Sequence, residues 1–331
     1  MSFITVKNLS KTFRVLERDA GLINAVKALV RNDYKEIRAV SDISFDIDEG
    51  EIVAYIGPNG AGKSTTIKML CGILNPDGGT ISVNGLNPFE NRKKYVSNIG
   101  VVFGQKSQLW WDIPVDDSFE LLKSIYKVSD EEYLKTKKEL IELLNIGDLL
   151  KTPVRQLSLG QRMRCEIAAS LLHNPKILFL DEPTIGLDAV SKLQVRKFIK
   201  EINTKKNVTI ILTSHDMSDI EALTNRIIVI GHGKKLYDGS LSTIKKKFSK
   251  HKKLEIIYTK LKGTPKIPNT NIILKKRNYT LLDVDMDKTT ISDVVSKYSK
   301  YCEINDINVL SESMDEIIIK LYEDYNLWEV I

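Results

Sequence analysis

The sequence predicts an α/β protein with an antiparallel β part at the N-terminus, an inserted helical subdomain and a small α+β domain at the C-terminus. Three observations support this prediction. A short apolar strand runs into a glycine-rich turn and then a helical pattern at "YIGPNGAGKSTTIKML". Apolar runs of strand length, "KILFLDEP", "VTIILTSH" and "RIIVIGHG", follow a long helical stretch. Short strands and helices resume after the lysine-rich run "KKKFSKHKK". Strands that alternate with helices are typical of α/β domains.

The composition is that of a globular protein. The 331 residues are enough for two domains, and 42% hydrophobic with 28% charged residues is an ordinary balance. The longest apolar runs are far shorter than the roughly 18 residues of a membrane span, and the start "MSFITVKNLS" lacks signal-peptide features. We therefore expect a cytosolic protein that reaches a membrane only by docking. Cys71, Cys165 and Cys302 have no metal-binding spacing, which indicates buried free thiols.

The first part of the chain is predicted to be mostly strand. Residues 1–56 alternate apolar and polar side chains, as half-buried strands do. Residues 17–37 break the alternation, because Leu22, Val26 and Leu29 recur on one helical face. This segment is predicted to be a helix inserted between strands and packed on the core.

A helical subdomain is predicted at residues 112–172. Within it, Ser129 precedes Glu132 at the spacing of a helix capping box. The apolar strand runs return after it, so the helices interrupt a domain that spans residues 1–240.

The lysine-rich run marks a second boundary. We predict a basic linker at 241–253, since such runs are usually solvated, with nucleic-acid or anionic-lipid binding as the alternative. Residues 254–331 then alternate short strands and two helices, which favours a small α+β domain of ferredoxin-like type.

The glycine-rich turn is predicted to bind phosphate. Residues 57–64 match the pattern G-x-x-x-x-G-K-[ST] in full, between a strand and a helix. The glycines let successive main-chain N–H groups point at phosphate oxygens, and the helix dipole adds positive potential. Lys63 supplies a positive charge and Ser64 a hydroxyl for Mg²⁺. The residues expected to contact the nucleotide here are Gly57, Pro58, Asn59, Gly60, Ala61, Gly62, Lys63, Ser64 and Thr65.

Three further polar residues end apolar strands. Asp181 and Glu182 close "KILFLDEP", and His215 closes "TIILTSH". Strand ends of a parallel sheet meet at its ligand-binding edge. Asp181 is therefore a candidate Mg²⁺ ligand, and Glu182 a candidate base that polarises the attacking water. The imidazole of His215 is expected to reach the γ-phosphate or the water.

A second anion site is predicted at the start of another helix. "QLSLGQRMRCEIAASLL" places Ser158, Gly160 and Gln161 at a helix N-terminus, where free N–H groups attract anions. The chain has one triphosphate loop and two such helix ends. We expect the second to serve the nucleotide of another chain.

Together these motifs resemble the ATP-binding subunit of an ABC transporter. Walker A "GPNGAGKST", the Q-loop Gln105 in "VVFGQ", the signature "LSLGQ", Walker B "ILFLDEP", the D-loop "GLD" at 186–188 and His215 stand in that family's order. The resemblance covers residues 1–240. It implies a P-loop NTPase fold with an ABC ATPase core, and ATP and Mg²⁺ as cofactors.

The resemblance also implies partners and roles. Two copies would form a head-to-tail homodimer with ATP between Walker A of one and the signature of the other, docked on transmembrane permease subunits at the cytoplasmic face of the membrane. Gln105 would contact Mg²⁺ and the water, Glu182 would be the general base, and His215 the γ-phosphate switch. Asp188 would link the two sites, and Phe13 would stack on adenine.

Two places differ from the family or extend it. Leu159 replaces the usual glycine of the signature, and we expect it to point away from the phosphate because Gly160 is kept. Trp110 and Trp111 in "QLWWDIP" follow the Q-loop, and one is expected either to line a groove for a helix of the membrane subunit or to pack in the core. The surrounding "VVFGQKSQLWWDIPVDDSF" resembles a bacterial subgroup associated with multidrug or viologen export.

Two other functions fit the sequence less well. A ribosome- or nucleic-acid-associated ABC ATPase usually carries two cassettes in one chain, whereas this chain has one, so we do not expect nucleic acid as a partner. A switch that binds ATP without turnover would have no use for Glu182.

Overall fold

The computed structural model describes residues 2–16, 34–104, 106–248, 250–263, 265–310 and 312–325. The chain divides into two compact units, Met1–Gly239 and Ser240–Ile331. In the part of the chain described, every helix is too short or too polar to cross a bilayer.

The first unit begins with a three-stranded antiparallel sheet in the order β2-β1-β4. Its strands are β1 (Ile4–Leu16), β2 (Tyr34–Ile47) and β4 (Gly78–Val83). Ile4 pairs with Ile47 on one side and Val83 on the other, and all three side chains are buried. The antiparallel N-terminal part is thus confirmed.

The helix predicted at 17–37 is wrong where the structure describes it. Residues 17–33 lie outside the described residues. The remaining four, from Tyr34 to Ile37, are strand residues, with Tyr34 paired to Leu16 and Ile37 to Phe13. The ladder of β1 supplies their main-chain partners, and tyrosine and isoleucine suit a pleated surface. This tertiary pairing overrides the local helical pattern.

The core of the first unit is a six-stranded sheet in the order β5-β6-β7-β3-β8-β9. The ladders from β5 to β8 are parallel. Its strands are β3 (Ile52–Ile56), β5 (Ile99–Phe103), β6 (Ile177–Asp181), β7 (Thr209–Thr213), β8 (Arg226–Gly231) and β9 (Lys234–Ser240). Every residue of β7 is buried, as expected for a parallel strand covered on both faces. The carboxyl ends of β3, β6 and β7 therefore meet at one edge.

Seven helices are described in this unit: α1 (Lys63–Leu70), α2 (Arg92–Val96), α3 (Val115–Tyr126), α4 (Asp130–Leu144), α5 (Leu159–Leu171), α6 (Ala189–Lys206) and α7 (Met217–Leu223). Short 3₁₀ turns span Gly147–Leu149 and Val154–Gln156. The helices α3 to α5 form the inserted helical part, which is confirmed. Ser129 caps α4 by accepting the Glu132 N–H at 3.3 Å, but the Glu132 carboxylate binds the Ser129 hydroxyl rather than its main-chain N–H.

The second unit is an antiparallel sheet in the order β11-β12-β10-β13, with helices. Its elements are α8 (Leu241–Phe248), β10 (His251–Thr259), β11 (Thr270–Lys276), β12 (Tyr279–Asp285), α9 (Ile291–Tyr298), β13 (Glu303–Leu310) and α10 (Met314–Asp324). The α+β class is confirmed. Each crossover skips one strand, as in ferredoxin-like folds. The second crossover contains α9, whereas the described residues between β10 and β11 contain no helix.

The basic linker predicted at 241–253 is wrong. This segment contains α8 and the start of β10. Leu241 and Ile244 are buried one helical turn apart, so the apolar side of α8 holds it in the unit while three lysines occupy its last turn. Cys71, Cys165 and Cys302 are buried free thiols, as predicted.

Candidate active site

The glycine-rich loop connects β3 to α1. Gly62 precedes the helix with φ of 102°, a left-handed conformation. A Cβ at Gly62 would lie 2.2 Å from the Ala39 main-chain oxygen on β2. Glycine is therefore required at position 62 for two reasons, the backbone angle and the close approach of the antiparallel sheet. The Gly62 carbonyl accepts both the N–H and the hydroxyl of Thr66, which fixes the first turn of α1.

Lys63 is held inside the curl of the loop. Its side chain is buried, and Nζ donates to the main-chain oxygens of Gly57 at 2.7 Å and Pro58 at 3.1 Å. Burial lowers the pKa of Lys63, while the carboxylates of Glu182 and Asp181 oppose that shift. Phosphate oxygens are stronger acceptors for an ammonium group than these carbonyls, so the lysine is placed to exchange them for a phosphate.

Asp181 and Glu182 are fixed by the neighbouring strand. The Thr213 hydroxyl at the end of β7 donates to Asp181 Oδ1 at 2.6 Å and accepts the Glu182 N–H at 3.1 Å. The Glu182 N–H also reaches the Thr213 carbonyl at 3.2 Å. A single threonine therefore holds the Asp181 carboxylate and the main chain of Glu182. Thr213 was not predicted as a site residue from the sequence, although a polar residue at the end of the apolar run "TIILT" indicates a position at the ligand-binding edge.

Glu182 and His215 are in contact. His215 Nε2 lies 2.6 Å from Glu182 Oε1. Glu182 has φ of 55°, which is left-handed and unusual for a residue other than glycine. Strained backbone of this kind is typical of functional sites. The sequence placed these two residues at adjacent strand ends, and the structure brings their side chains together.

Two cavities open at this edge of the sheet. One, of about 200 Å³, is lined by the phosphate loop including Lys63, with Glu182 and His215. The other, of about 320 Å³, is lined by Ser64, Asp181, Glu182 and residues on both sides of position 105. Gln105 itself lies outside the described residues, and its role stays a prediction. Ala39 also lines the first cavity and was not predicted from the sequence.

The second cavity has the donor set of a magnesium site. Ser64 supplies a hydroxyl and Asp181 a carboxylate, both oxygen donors of the kind that Mg²⁺ prefers. Asp181 is already oriented by Thr213, as outer hydrogen bonds orient metal ligands. The residues therefore fit the metal.

The signature residues lie elsewhere on the chain. Ser158 caps α5 by accepting the Gln161 N–H at 3.2 Å, and the Gln161 side chain accepts the Ser158 N–H at 2.9 Å. Ser158 is exposed and Gly160 is buried. None of Ser158, Gly160 and Gln161 is among the described residues that line the two cavities.

The signature packs on the D-loop of its own chain. A Cβ at Gly160 would lie 2.5 Å from Ser191 Oγ, and a Cβ at Gly186 would lie 3.1 Å from the Leu159 side chain. Leu159 is thus turned toward the D-loop. Its orientation relative to a bound phosphate stays a prediction.

The roles of Asp188 and Phe13 stay predictions, and the structure gives the surroundings of each residue. Asp188 caps α6, accepting the N–H of Val190 and of Ser191 at 3.0 Å each. The hydroxyl and N–H of Ser191 lower the pKa of Asp188. Phe13 on β1 is 37% exposed and pairs with Ile37 on β2. Ile37 lies two residues before Ala39, which lines the first cavity.

Comparisons with known proteins point to one family. The family model described as "ABC transporter" matches residues 40–185. The ABC transporter ATP-binding protein NatA of Bacillus subtilis (strain 168) is 32% identical over 210 residues, 63% of this chain and 85% of that protein. The bacitracin transport ATP-binding protein BcrA of Bacillus licheniformis is 28% identical over 291 residues, 88% of this chain and 90% of that protein. A solved dimeric structure, the post-hydrolysis state of the ATP-binding cassette MJ0796 bound to ADP and Pi, superposes with a TM-score of 0.58 and 27% identity, covering 72% of this chain and 98% of that one.

Proposed function

The chain belongs to the ATP-binding proteins of ABC transporters and hydrolyses ATP, and we propose that it drives export through separate membrane subunits as one half of a head-to-tail homodimer. The ribosome and nucleic-acid alternative is set aside, because the matched relatives are transporter ATP-binding proteins.

The separation of the two half-sites carries the dimer proposal. Lys63, Ser64, Glu182 and His215 line the phosphate cavities, while Ser158 is exposed outside them. An exposed helix N-terminus with a serine cap is suited to a phosphate presented by another chain. The relative MJ0796 has been solved as a dimer with ADP and Pi. A second copy of this chain would complete each site.

The site residues divide the chemistry of hydrolysis among them. The main-chain N–H groups of the loop and Lys63 hold the phosphates. Glu182 takes the proton of the attacking water, with His215 at 2.6 Å orienting its carboxylate. Ser64 and Asp181 would hold Mg²⁺, which neutralises charge on the phosphates. Gln105, Asp188 and Phe13 keep the roles that the family resemblance implies for them.

The energetics of this arrangement suit a motor. Moving a dimer from mostly open to mostly closed needs about 5.5 kcal/mol of differential binding. The two composite sites together would supply this binding free energy. Each site loses contacts when the γ-phosphate leaves. Binding and hydrolysis therefore close and open the dimer in turn.

The general-base assignment is tested by Glu182→Gln, with the exposed Glu142→Gln as the matched control. We expect Glu182→Gln to lower ATP hydrolysis by about 10²- to 10⁴-fold while ATP binding persists, and Glu142→Gln to behave as the wild type. Normal turnover by Glu182→Gln would contradict the assignment.

The membrane partner is proposed to contact the tryptophan pair. Trp110 is 41% and Trp111 51% exposed, which argues against full burial in the core. Arg162 lies over the Trp111 ring at 5.6 Å. The Trp111 carbonyl accepts the Arg155 N–H at 3.0 Å, which fixes the main chain at this position. Exposed, preorganised aromatics are typical interface anchors. Trp111→Ala should abolish recovery of the chain in the membrane fraction of cells and leave hydrolysis by the purified chain intact. Joint loss of hydrolysis and folding would instead mark Trp111 as a core residue.

The transported substrate is proposed by analogy alone. BcrA is named for bacitracin transport, and we propose a drug as the cargo, with the multidrug or viologen subgroup as the narrower form. Deleting the gene should sensitise cells to such compounds, and Lys63→Ala should fail to restore resistance. Restored resistance with Lys63→Ala would contradict an ATP-driven role.

A further inference from the structure

A buried polar cluster includes residues close in sequence to Glu182 and His215. It consists of Asp219 on α7, Thr184 in the loop after β6, Ser214 in the loop after β7, and Arg196 on α6. Asp219 is 1% exposed, and the two hydroxyl residues are also buried. We name these four residues the Asp219 cluster.

One carboxylate oxygen joins the two catalytic loops. The Thr184 hydroxyl donates to Asp219 Oδ2, and the Ser214 hydroxyl lies 3.3 Å from the same oxygen. Thr184 follows Glu182 by two residues, and Ser214 immediately precedes His215. The loops that carry Glu182 and His215 are thereby both bound to one buried atom, Asp219 Oδ2.

Arg196 makes this buried charge tolerable. A lone carboxylate at this depth would be strongly unfavourable, but the Arg196 guanidinium pairs with Asp219 Oδ1 through two nitrogens. Arg196 Nη2 also donates to Ser218 Oγ at 2.7 Å, and the Asp219 N–H donates to the Asp216 carbonyl at 3.0 Å. The cluster is therefore anchored on both α6 and α7.

We propose that Asp219 is a positioning residue for ATP hydrolysis, which fixes the Glu182–His215 geometry through the Thr184 and Ser214 hydroxyls. The proposal rests on the roles given above to Glu182 and His215. Neither Asp219 nor Thr184 lines the phosphate cavities among the described residues, so neither is expected to contact ATP. A shift of about 1 Å in a reacting group can cost about 100-fold in rate.

The test uses conservative variants of the purified 331-residue chain. Thr184→Val removes the hydroxyl and keeps the shape, Thr184→Ser restores the hydroxyl, and Thr204→Val is the control on an exposed threonine of α6. We expect Thr184→Val to lower kcat by about 10- to 100-fold with KM for ATP within about twofold of wild type. Thr184→Ser should recover most of kcat, and Thr204→Val should have no effect. Unchanged kcat in Thr184→Val, or a loss confined to KM, would overturn the proposal.

A double-variant experiment addresses Asp219 itself. Asp219→Asn and Thr184→Val remove the same link, so their combined loss of kcat should be close to the larger single loss. If Asp219→Asn does not fold, Ser214→Ala takes its place: it removes the other hydroxyl bound to Asp219 Oδ2 and should by itself lower kcat with KM for ATP unchanged, and an unchanged kcat would overturn the proposal. Losses that multiply would overturn the shared role. Failure of the proposed function can be told apart from failure of this proposal. The first would appear as full activity in Glu182→Gln, and the second as unchanged kcat in the cluster variants.

Discussion

The close approach of the antiparallel sheet to the phosphate loop can be measured with two glycine substitutions. Gly60 has φ of 79° and Gly62 has φ of 102°, so alanine is strained at both positions. That strain costs about 1–2 kcal/mol at either site. The surroundings differ: a Cβ at Gly60 meets nothing within 4 Å, whereas a Cβ at Gly62 would lie 2.2 Å from the Ala39 oxygen.

The clash at Gly62 adds a second cost. Main-chain oxygen cannot rotate away as a flexible side chain can, so β2 or the loop must shift by about an ångström. Overpacking of this kind costs about 1–3 kcal/mol. Gly62→Ala should therefore lower the free energy of unfolding by about 2–5 kcal/mol, and Gly60→Ala by only about 1–2 kcal/mol. The gain from a stiffer unfolded chain is equal in both variants and cancels.

Urea unfolding without nucleotide provides the assay. The midpoint should fall much further in Gly62→Ala than in Gly60→Ala, at an unchanged dependence on urea. Equal midpoints for the two variants would refute the close packing of Ala39 on the loop.

The remaining predictions concern packing, acid stability and a helix cap. Gly160→Ala should destabilise the chain by about 1–3 kcal/mol through its clash with Ser191, and Ser191→Gly should relieve most of that loss, as a double-mutant cycle of urea unfolding would measure. Burial lowers the pKa of His173 to about 4, so the unfolded chain binds more protons between about pH 6.5 and 4 and stability falls on acidification by up to roughly 3 kcal/mol. His173→Phe should flatten that part of the stability profile, and an unchanged slope would count against the buried neutral imidazole. Ser129→Ala should cost about 1 kcal/mol, and Glu132→Ala less, in thermal unfolding; the reverse order would contradict the cap geometry.

The parts of the site predicted from sequence are those in which short segments carry their own signal. The phosphate loop combines an apolar strand, glycines and a helix start within adjacent residues, and the structure keeps that order. Asp181, Glu182 and His215 follow buried runs, and parallel pairing of those runs was enough to bring them to one edge.

The rest depended on partners that are distant in the chain. The local pattern of Tyr34 to Ile37 predicted a helix, but these residues pair with β1. The lysines of α8 predicted a linker, but its apolar residues are buried in the second unit. The Asp219 cluster joins residues 23 and 35 positions from Asp219, so spacing gave no hint of it. The contact of Leu159 with Gly186 likewise arises from packing of α5 against the D-loop.

ATP-dependent pairing of the chain tests the central claim most directly. Sedimentation velocity of Glu182→Gln with ATP and Mg²⁺ should show conversion from monomer to dimer, and ADP should leave the chain monomeric. Adding Ser158→Arg, which blocks the exposed half-site without touching the phosphate loop, should prevent pairing while the monomer still binds ATP. A Glu182→Gln chain that stays monomeric with ATP at every concentration, or one that pairs equally well with Ser158→Arg, would contradict a nucleotide site shared between two copies.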